Sequence, residues 1–551
     1  MDSLKNEKKN DRKNGKRNEK KSEKENEKKN EKENEKKNEK KSEKENEKKN
    51  EKIEEKKNEK KNEKMGEKKG GKEYKPPQEL KRGIKSWQVS FIGLGGVIGS
   101  CYFLGLGALI RDMGPAVFFA FIVVGIIVYG MMISYAELLV NLPRKGSFIA
   151  YTNEFLGKSA SVGIGWAFWF NWVCYVPSEA IAVSVVLNSL IPGIPAMYAI
   201  GALTLLTIIN LCAIDIFAKV ESTLAIIKVS VIILFAVIAF GIWVGLWGSS
   251  GFLGARVNFS GSDLTKSLFP NGAGAVLTNM VVVLVTFQGT EIVGLAAAEA
   301  QDPEHSVPAA CKSVTGRIAA LYLLPVFLIL CIFPSAQATV HDSVFAQVLT
   351  YYHLNFFAGI MSAVVLVAAF SCANTGFYGT VRSLYGLSIE GLAPKKLGSL
   401  DKKGNPKNAV LFTLASMWLV LTLGLSAGGA ALYEKLLSVS GFTGTLAWIG
   451  IIASQLQFRK RLKKNGYNPQ DCLRACVSPK QQWVSVFALA AQTLCLIMLA
   501  FGKGQQAVFV IACLAVIIPV VIYRIVGNRG REEKSEGGEK TFDEMFPPLR
   551  G

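Results

Sequence analysis

The chain has 551 residues with 64 Lys and Arg against 44 Asp and Glu, a net charge of +20, yet 49% of it is apolar. The charge is concentrated: residues 1–80 hold 30 basic and 22 acidic side chains, leaving 34 and 22 for the other 471 residues, about 12% of them against the ~25% usual in globular proteins. So weakly charged a remainder excludes a soluble enzyme of this size and points to a polytopic, all-α membrane protein.

Residues 1–80 come first. From Asn6 to Asn62 every fourth residue is Asn or Ser, with Glu54 the exception, in a tetrapeptide repeat close to N-E-K-K. That period stacks Glu on Glu and Lys on Lys at i,i+4, which destabilises a helix, and it offers almost nothing apolar to bury. We read it as a disordered, solvated cytoplasmic tail; a polybasic lipid-binding arm is the competing reading, weakened by Glu alternating with Lys. The N-terminus has no apolar core of the kind a cleavable signal peptide needs.

After Pro76-Pro77 and the basic cluster Lys81, Arg82 and Lys85, twelve apolar segments follow, near 86–110, 115–140, 162–190, 195–214, 217–247, 275–300, 318–335, 356–387, 409–426, 436–456, 483–501 and 507–523. Each is long enough to cross a ~30 Å hydrocarbon core as a helix. A twelve-helix domain is expected over 81–525, with a short cytoplasmic tail over 526–551. The connections after even-numbered segments hold Arg144, Lys145 and Lys158; Lys312 and Arg317; Lys395, Lys396, Lys402, Lys403 and Lys407; and Arg459, Lys460, Arg461, Lys463 and Lys464. Those after odd-numbered segments hold little beyond Arg111, Arg256, Lys266 and Lys503. Basic short loops stay inside, so both termini are expected in the cytoplasm of a cell-membrane protein.

Most of the ten cysteines sit in apolar runs, no CxxC occurs, and His305, His341 and His353 lack ligand spacing. Neither a structural metal nor a disulfide framework is expected. No nucleophile and base constellation appears, and nucleic acid is not an expected partner.

Ionisable residues inside the segments include Glu137, Glu179, Lys228, Glu291, Glu299 and Arg382, and segments nine to twelve hold none. Such groups are costly in lipid and mark a pathway or coupling site. Glu137, Glu299 and Arg382 lie near expected cytoplasmic ends, where interface anchoring is the more economical account. Lys228 lies about eleven residues, ~16 Å, into its segment, too deep for easy snorkelling. Desolvation disfavours a charged amine, so Lys228 is a candidate proton carrier; the competing reading is a fixed cation neutralising Glu291 or Glu179. Glu291 reads as a substrate or proton ligand, and Glu179, just after Pro177, as either such a ligand or a helix-packing group.

The first segment carries Gly93, Gly95, Gly96 and Gly99 within seven residues, and the sixth carries Gln288-Gly289-Thr290-Glu291. Interior glycine costs ~1 kcal/mol against Ala, and paired interruptions in two halves point to broken helices meeting at the bilayer midplane of an inverted-repeat transporter. There a half-helix N-terminus can hold a carboxylate and unwound carbonyls an ammonium. The competing reading of Gly95 and Gly99 is a GxxxG packing motif. A dinucleotide fingerprint fails, since Ile98 stands where it needs glycine.

In combination, GLGGVIGS at 93–100, YAELLVNLPRKGSF at 135–148, AKVESTLAIIKVS at 218–230, TFQGTEIVGLAAAEAQDP at 286–303 and SCANTGFYGTVRSLYGLSIEGLAPK at 371–395 resemble the amino acid permeases of the amino acid, polyamine and organocation superfamily, over about residues 81–525. The resemblance implies a LeuT-type fold, helices 1–5 and 6–10 being inverted repeats with helices 1 and 6 broken. It also implies that Ile98, Gly99, Ser100 and Cys101 receive the substrate carboxylate, that Thr286, Phe287 and Gly289 form the sixth-helix counterpart, and that Lys228, with Ser371 near it, replaces a coupling sodium. Cys101 departs from the pattern, which has glycine there. The function expected is proton-coupled amino acid import by alternating access, needing no cofactor besides the proton as coupling ion. The alternatives are an amino acid exchanger and a non-transporting amino acid sensor.

Overall fold

The computed structural model describes residues 85–212, 217–246, 268–296, 301, 303–339, 342–401, 404–425, 429–474, 477–502, 504–527 and 541–549. The repeat tail over 1–80, Glu299, Arg256, Lys266, His341, Lys402, Lys403 and Lys503 lie outside them, as do 528–540 and 550–551 of the C-terminal tail. Among the described residues there is no strand.

The helices are α1 (Ser86–Val97), α2 (Leu106–Met113), α3 (Ala116–Asn141), α4 (Phe148–Leu156), α5 (Lys158–Leu190), α6 (Pro195–Cys212), α7 (Phe217–Trp243), α8 (Gly272–Val285), α9 (Ile292–Ala296) and α10 (Pro303–Ile332). They continue with α11 (Val344–Tyr351), α12 (Asn355–Ile389), α13 (Lys407–Leu425), α14 (Gly429–Lys464), α15 (Pro469–Cys472), α16 (Pro479–Leu499), α17 (Gln506–Gly527) and α18 (Phe542–Met545). Eight of these are long and apolar enough to cross a membrane, and Pro195–Leu211, Gly272–Val285 and Ala320–Ile332 are apolar but shorter. The protein is a multi-pass membrane protein. Each expected segment overlies helix, but the first and sixth are split, the seventh starts earlier, at Pro303, and the tenth runs on to Lys464.

Helix α5 is central and packs against α4, α6, α12, α13, α14 and α17. The apolar windows grade outward: 83% of that in α14 is buried inside the protein but only 11% of that in α17, whose Ile517, Ile518, Val521, Ile522 and Ile525 are exposed. A helix apolar all round with so much exposed surface is suited to lipid, not water.

Glu137 corrects the expectation of an interface anchor. It is fully buried and accepts hydrogen bonds from Gln455 Nε2 (2.7 Å), Arg459 Nε (2.8 Å) and the Val477 N–H (2.7 Å), with Arg459 NH2 at 2.6 Å. One carboxylate thus ties α3 to α14 and to the turn before α16. The expected tail also does more than trail: Phe542 is buried, its N–H donates to Glu154 (2.6 Å), and Phe542 and Phe546 pack edge-on against Phe458.

Removing one partner of a buried ion pair leaves the other uncompensated. Glu137→Ala is expected to cost about 3–5 kcal/mol and Asp112→Ala, from the exposed Arg111 pair, under about 1 kcal/mol. Thermal unfolding in detergent measures both, and equal midpoints would contradict the buried role.

Candidate functional site

The first apolar segment stops being a helix at its middle. Helix α1 ends at Val97, Ile98 and Gly99 bend, and Ser100 leads into a π-helical turn, Cys101–Gly105, before α2. Ending a helix there strands its last carbonyls, which lipid cannot satisfy. Side chains from three other helices answer them. Lys228 Nζ of α7 donates to Gly95 O (2.6 Å) and Ile98 O (3.1 Å), Cys372 Sγ of α12 to Gly96 O (2.9 Å), and the Tyr322 hydroxyl of α10 lies 3.1 Å from Val97 O.

The sixth segment breaks between α8 and α9, residues 286–291 forming turns. Gly289 has φ +108°, and a Cβ on it would lie 2.5 Å from Gly96 O. Glycine is therefore needed twice over, for the backbone conformation and for the approach to α1. The two breaks meet at Gly96 and Gly289, and Tyr322 bridges them, its hydroxyl also 2.9 Å from Thr286 O.

Lys228 is fully buried and makes a third bond, to Ser371 Oγ (2.8 Å). An ammonium has three donors, and here each has an acceptor. The carboxylate beside it is neither Glu291 nor Glu179 but Glu221, two turns earlier on the same face of α7, with Oε1 at 3.9 Å. Ser371 Oγ in turn donates to Glu221 Oε1 (2.5 Å).

Glu179 of α5 takes the Ser100 N–H on both oxygens, each 3.1 Å away. A carboxylate thus already occupies the freed donor expected to receive substrate. The Ser100 hydroxyl pairs with Tyr433 OH at 3.0 Å, and Cys101 Sγ accepts from Tyr175 OH at 3.0 Å. Thr286 turns its hydroxyl back to Val283 O (2.7 Å), leaving its carbonyl to the Tyr322 bridge. Phe287 is buried between Tyr322 and Phe121, ring centroids 4.7 and 5.7 Å away. The Glu291 carboxylate accepts from the Gly289 N–H (3.0 Å) and from Trp448 Nε1 (2.9 Å), closing its own turn.

A family model described as amino acid permease matches residues 88–536. The chain belongs to the amino acid permease family. The permease is similar to the amino-acid permease RocC of Bacillus subtilis (strain 168), 37% identical over 396 residues that cover 71% of this chain and 84% of that one. It is similar as well to the lysine-specific permease LysP of Lactococcus lactis subsp. cremoris (strain MG1363), 34% identical over 70% of this chain and 78% of that one. The gamma-aminobutyric acid permease of Escherichia coli (strain K12) is 33% identical over 78% of this chain and 91% of its own length.

Sequence reasoning about the permease passed over Glu221, Tyr322, Cys372 and Trp448. Glu221 carried a usable signal, since it lies seven residues before Lys228, two helical turns along one face. Tyr322 and Trp448 carried none, their partners being remote in the chain.

Gly289→Ala forces a Cβ against the α1 backbone, whereas a Cβ at Gly274 meets nothing within 4 Å. The first is expected to lose substrate-induced thermal stabilisation and at least ~1–3 kcal/mol of stability, the second neither. A thermal-shift screen against the standard amino acids tests this; a Gly289→Ala protein that responds like Gly274→Ala would count against the contact.

Proposed function

We propose that this permease imports an amino acid together with a proton by alternating access. The fold we propose is twelve spans of the LeuT type, with the two breaks at corresponding places of inverted repeats and both termini cytoplasmic. The observation that carries the reading is the Lys228 ammonium, seated by Gly95 O, Ile98 O and Ser371 Oγ at the break in α1. A cation at that spot lies at the negative end of a half-helix. A proton on Lys228 therefore supplies both the charge and the third donor that hold the break in shape.

The Ser100 N–H, which already holds the Glu179 carboxylate, is suited to a substrate carboxylate once Glu179 withdraws. The substrate ammonium then faces the unwound carbonyls around Ile98 and residues 286–289, with Phe287 shaping the gate. Glu291 supports the sixth-helix turn from behind by holding the Gly289 N–H. The lysine and gamma-aminobutyric acid named for two relatives each carry a carboxylate and an ammonium, which supports this division of labour.

The coupling follows from donor number. A protonated Lys228 holds three acceptors; a neutral amine has one donor fewer and no charge, so loss of the proton on the cytoplasmic side loosens the first break and lowers the hold on substrate. Uptake should rise as the outside is acidified relative to the inside. One pH unit is worth about 1.4 kcal/mol, so with one proton per solute an inward gradient of one unit supports up to about tenfold accumulation. In proteoliposomes Lys228→Ala is expected to abolish that accumulation. Undiminished gradient-driven uptake by Lys228→Ala would refute the coupling role.

A further inference from the structure

Lys228 is fully buried, so a proton released from it needs a path. Glu221 is fully buried seven residues nearer the start of the same helix, about 10 Å of rise away. On the proposed orientation that direction is cytoplasmic. The hydroxyl of Ser371 stands between them, accepting from Lys228 Nζ at 2.8 Å and donating to Glu221 Oε1 at 2.5 Å. The two hydrogen bonds run in one sense, from ammonium through hydroxyl to carboxylate.

The surroundings keep this chain in register. The Glu221 carboxyl occupies the space that a Cβ on Gly95 would fill, so it lies against the α1 backbone just where Lys228 binds. Asn374 and Thr375 of α12 border the carboxyl with neutral hydrogen-bonding groups. Among the described residues, the other titratable groups acting on the pair are Glu179 of α5 and Cys372 of α12.

We propose that Glu221 is the proton-relay residue of this permease, receiving the Lys228 proton through Ser371 and passing it to cytoplasmic water. The proposal rests on the coupling role given to Lys228 above. In the step, a Lys228 N–H bond breaks and its proton goes to Ser371 Oγ, while the original Ser371 proton goes to Glu221 Oε1. Lysine becomes a neutral amine, glutamate a neutral acid, and serine is unchanged. Two buried opposite charges are replaced by two neutral groups, which removes the desolvation penalty both ions carry in the interior. Water that reaches Glu221 when the inner side opens takes the proton, and the next proton from outside resets Lys228.

The test compares Glu221→Gln and Ser371→Ala with the unaltered protein in proteoliposomes, using a radiolabelled mixture of the standard L-amino acids. Two readouts are taken: accumulation driven by an inward gradient of one pH unit, and counterflow without a gradient across a range of pH. Each substitution is expected to remove the up-to-tenfold accumulation while lowering counterflow far less, and to flatten its dependence on internal pH. Ser371→Ala keeps both charges, so it decides the matter if Glu221→Gln fails to fold. Accumulation like that of the unaltered protein in either folded variant overturns the relay but leaves Lys228 coupling standing. Equal loss of accumulation and counterflow in folded Ser371→Ala also overturns it, since a structural role predicts that. No gradient-driven accumulation by the unaltered protein overturns the coupling reading itself.

Discussion

A helix that stops halfway through a bilayer must have its loose carbonyls satisfied by protein, and the rest of this architecture depends on how that is done. At the end of α1 four successive carbonyls, from Gly95 to Ile98, are met by an ammonium, a thiol and a phenol delivered from α7, α12 and α10. Each unsatisfied group in lipid costs several kcal/mol, so these three helices are fixed in depth and rotation by the break itself. Of the three donors, the ammonium alone carries a charge, and it holds two of the four carbonyls.

The two breaks are not treated alike. The first is held from outside, by side chains of other helices. The second is closed mainly from within, Glu291 returning to the Gly289 N–H with Trp448 securing the carboxylate. Tyr322 joins them by reaching Val97 O and Thr286 O together, so a change in the shape of the first break is felt at the second. On the proposed mechanism, that link is what would carry the effect of a proton on α7 to an amino acid bound at the breaks.

Much of this was legible in the chain because lipid imposes simple rules. Long apolar runs with few charges read as helices, and the glycines at 93–99 and the Gln288–Glu291 stretch marked the interruptions that appear at Ile98–Gly99 and at 286–291. The family resemblance, not the lipid rules, implied Ser371 near Lys228, and the two lie 2.8 Å apart. What escaped was partnership across the fold. Glu137 near a helix end reads as an anchor, yet Arg459 and Gln455, more than 300 residues on, make it a buried tie. Glu291 beside a glycine reads as a ligand, and its bonds to the Gly289 N–H and to Trp448, remote in the chain, were not foreseen. The aromatic residues of 541–549 look like an ordinary polar tail's exceptions until Phe155 and Phe458 are seen to receive them. None of these pairings leaves a periodic trace in sequence.

The central claim is that a proton on Lys228 travels with the amino acid. The most direct measurement loads proteoliposomes containing the unaltered protein with a pH-sensitive dye and follows the interior after amino acids are added outside. The account predicts that the lumen acidifies in step with uptake and that a protonophore prevents accumulation. Uptake against a gradient with no acidification of the lumen would contradict it.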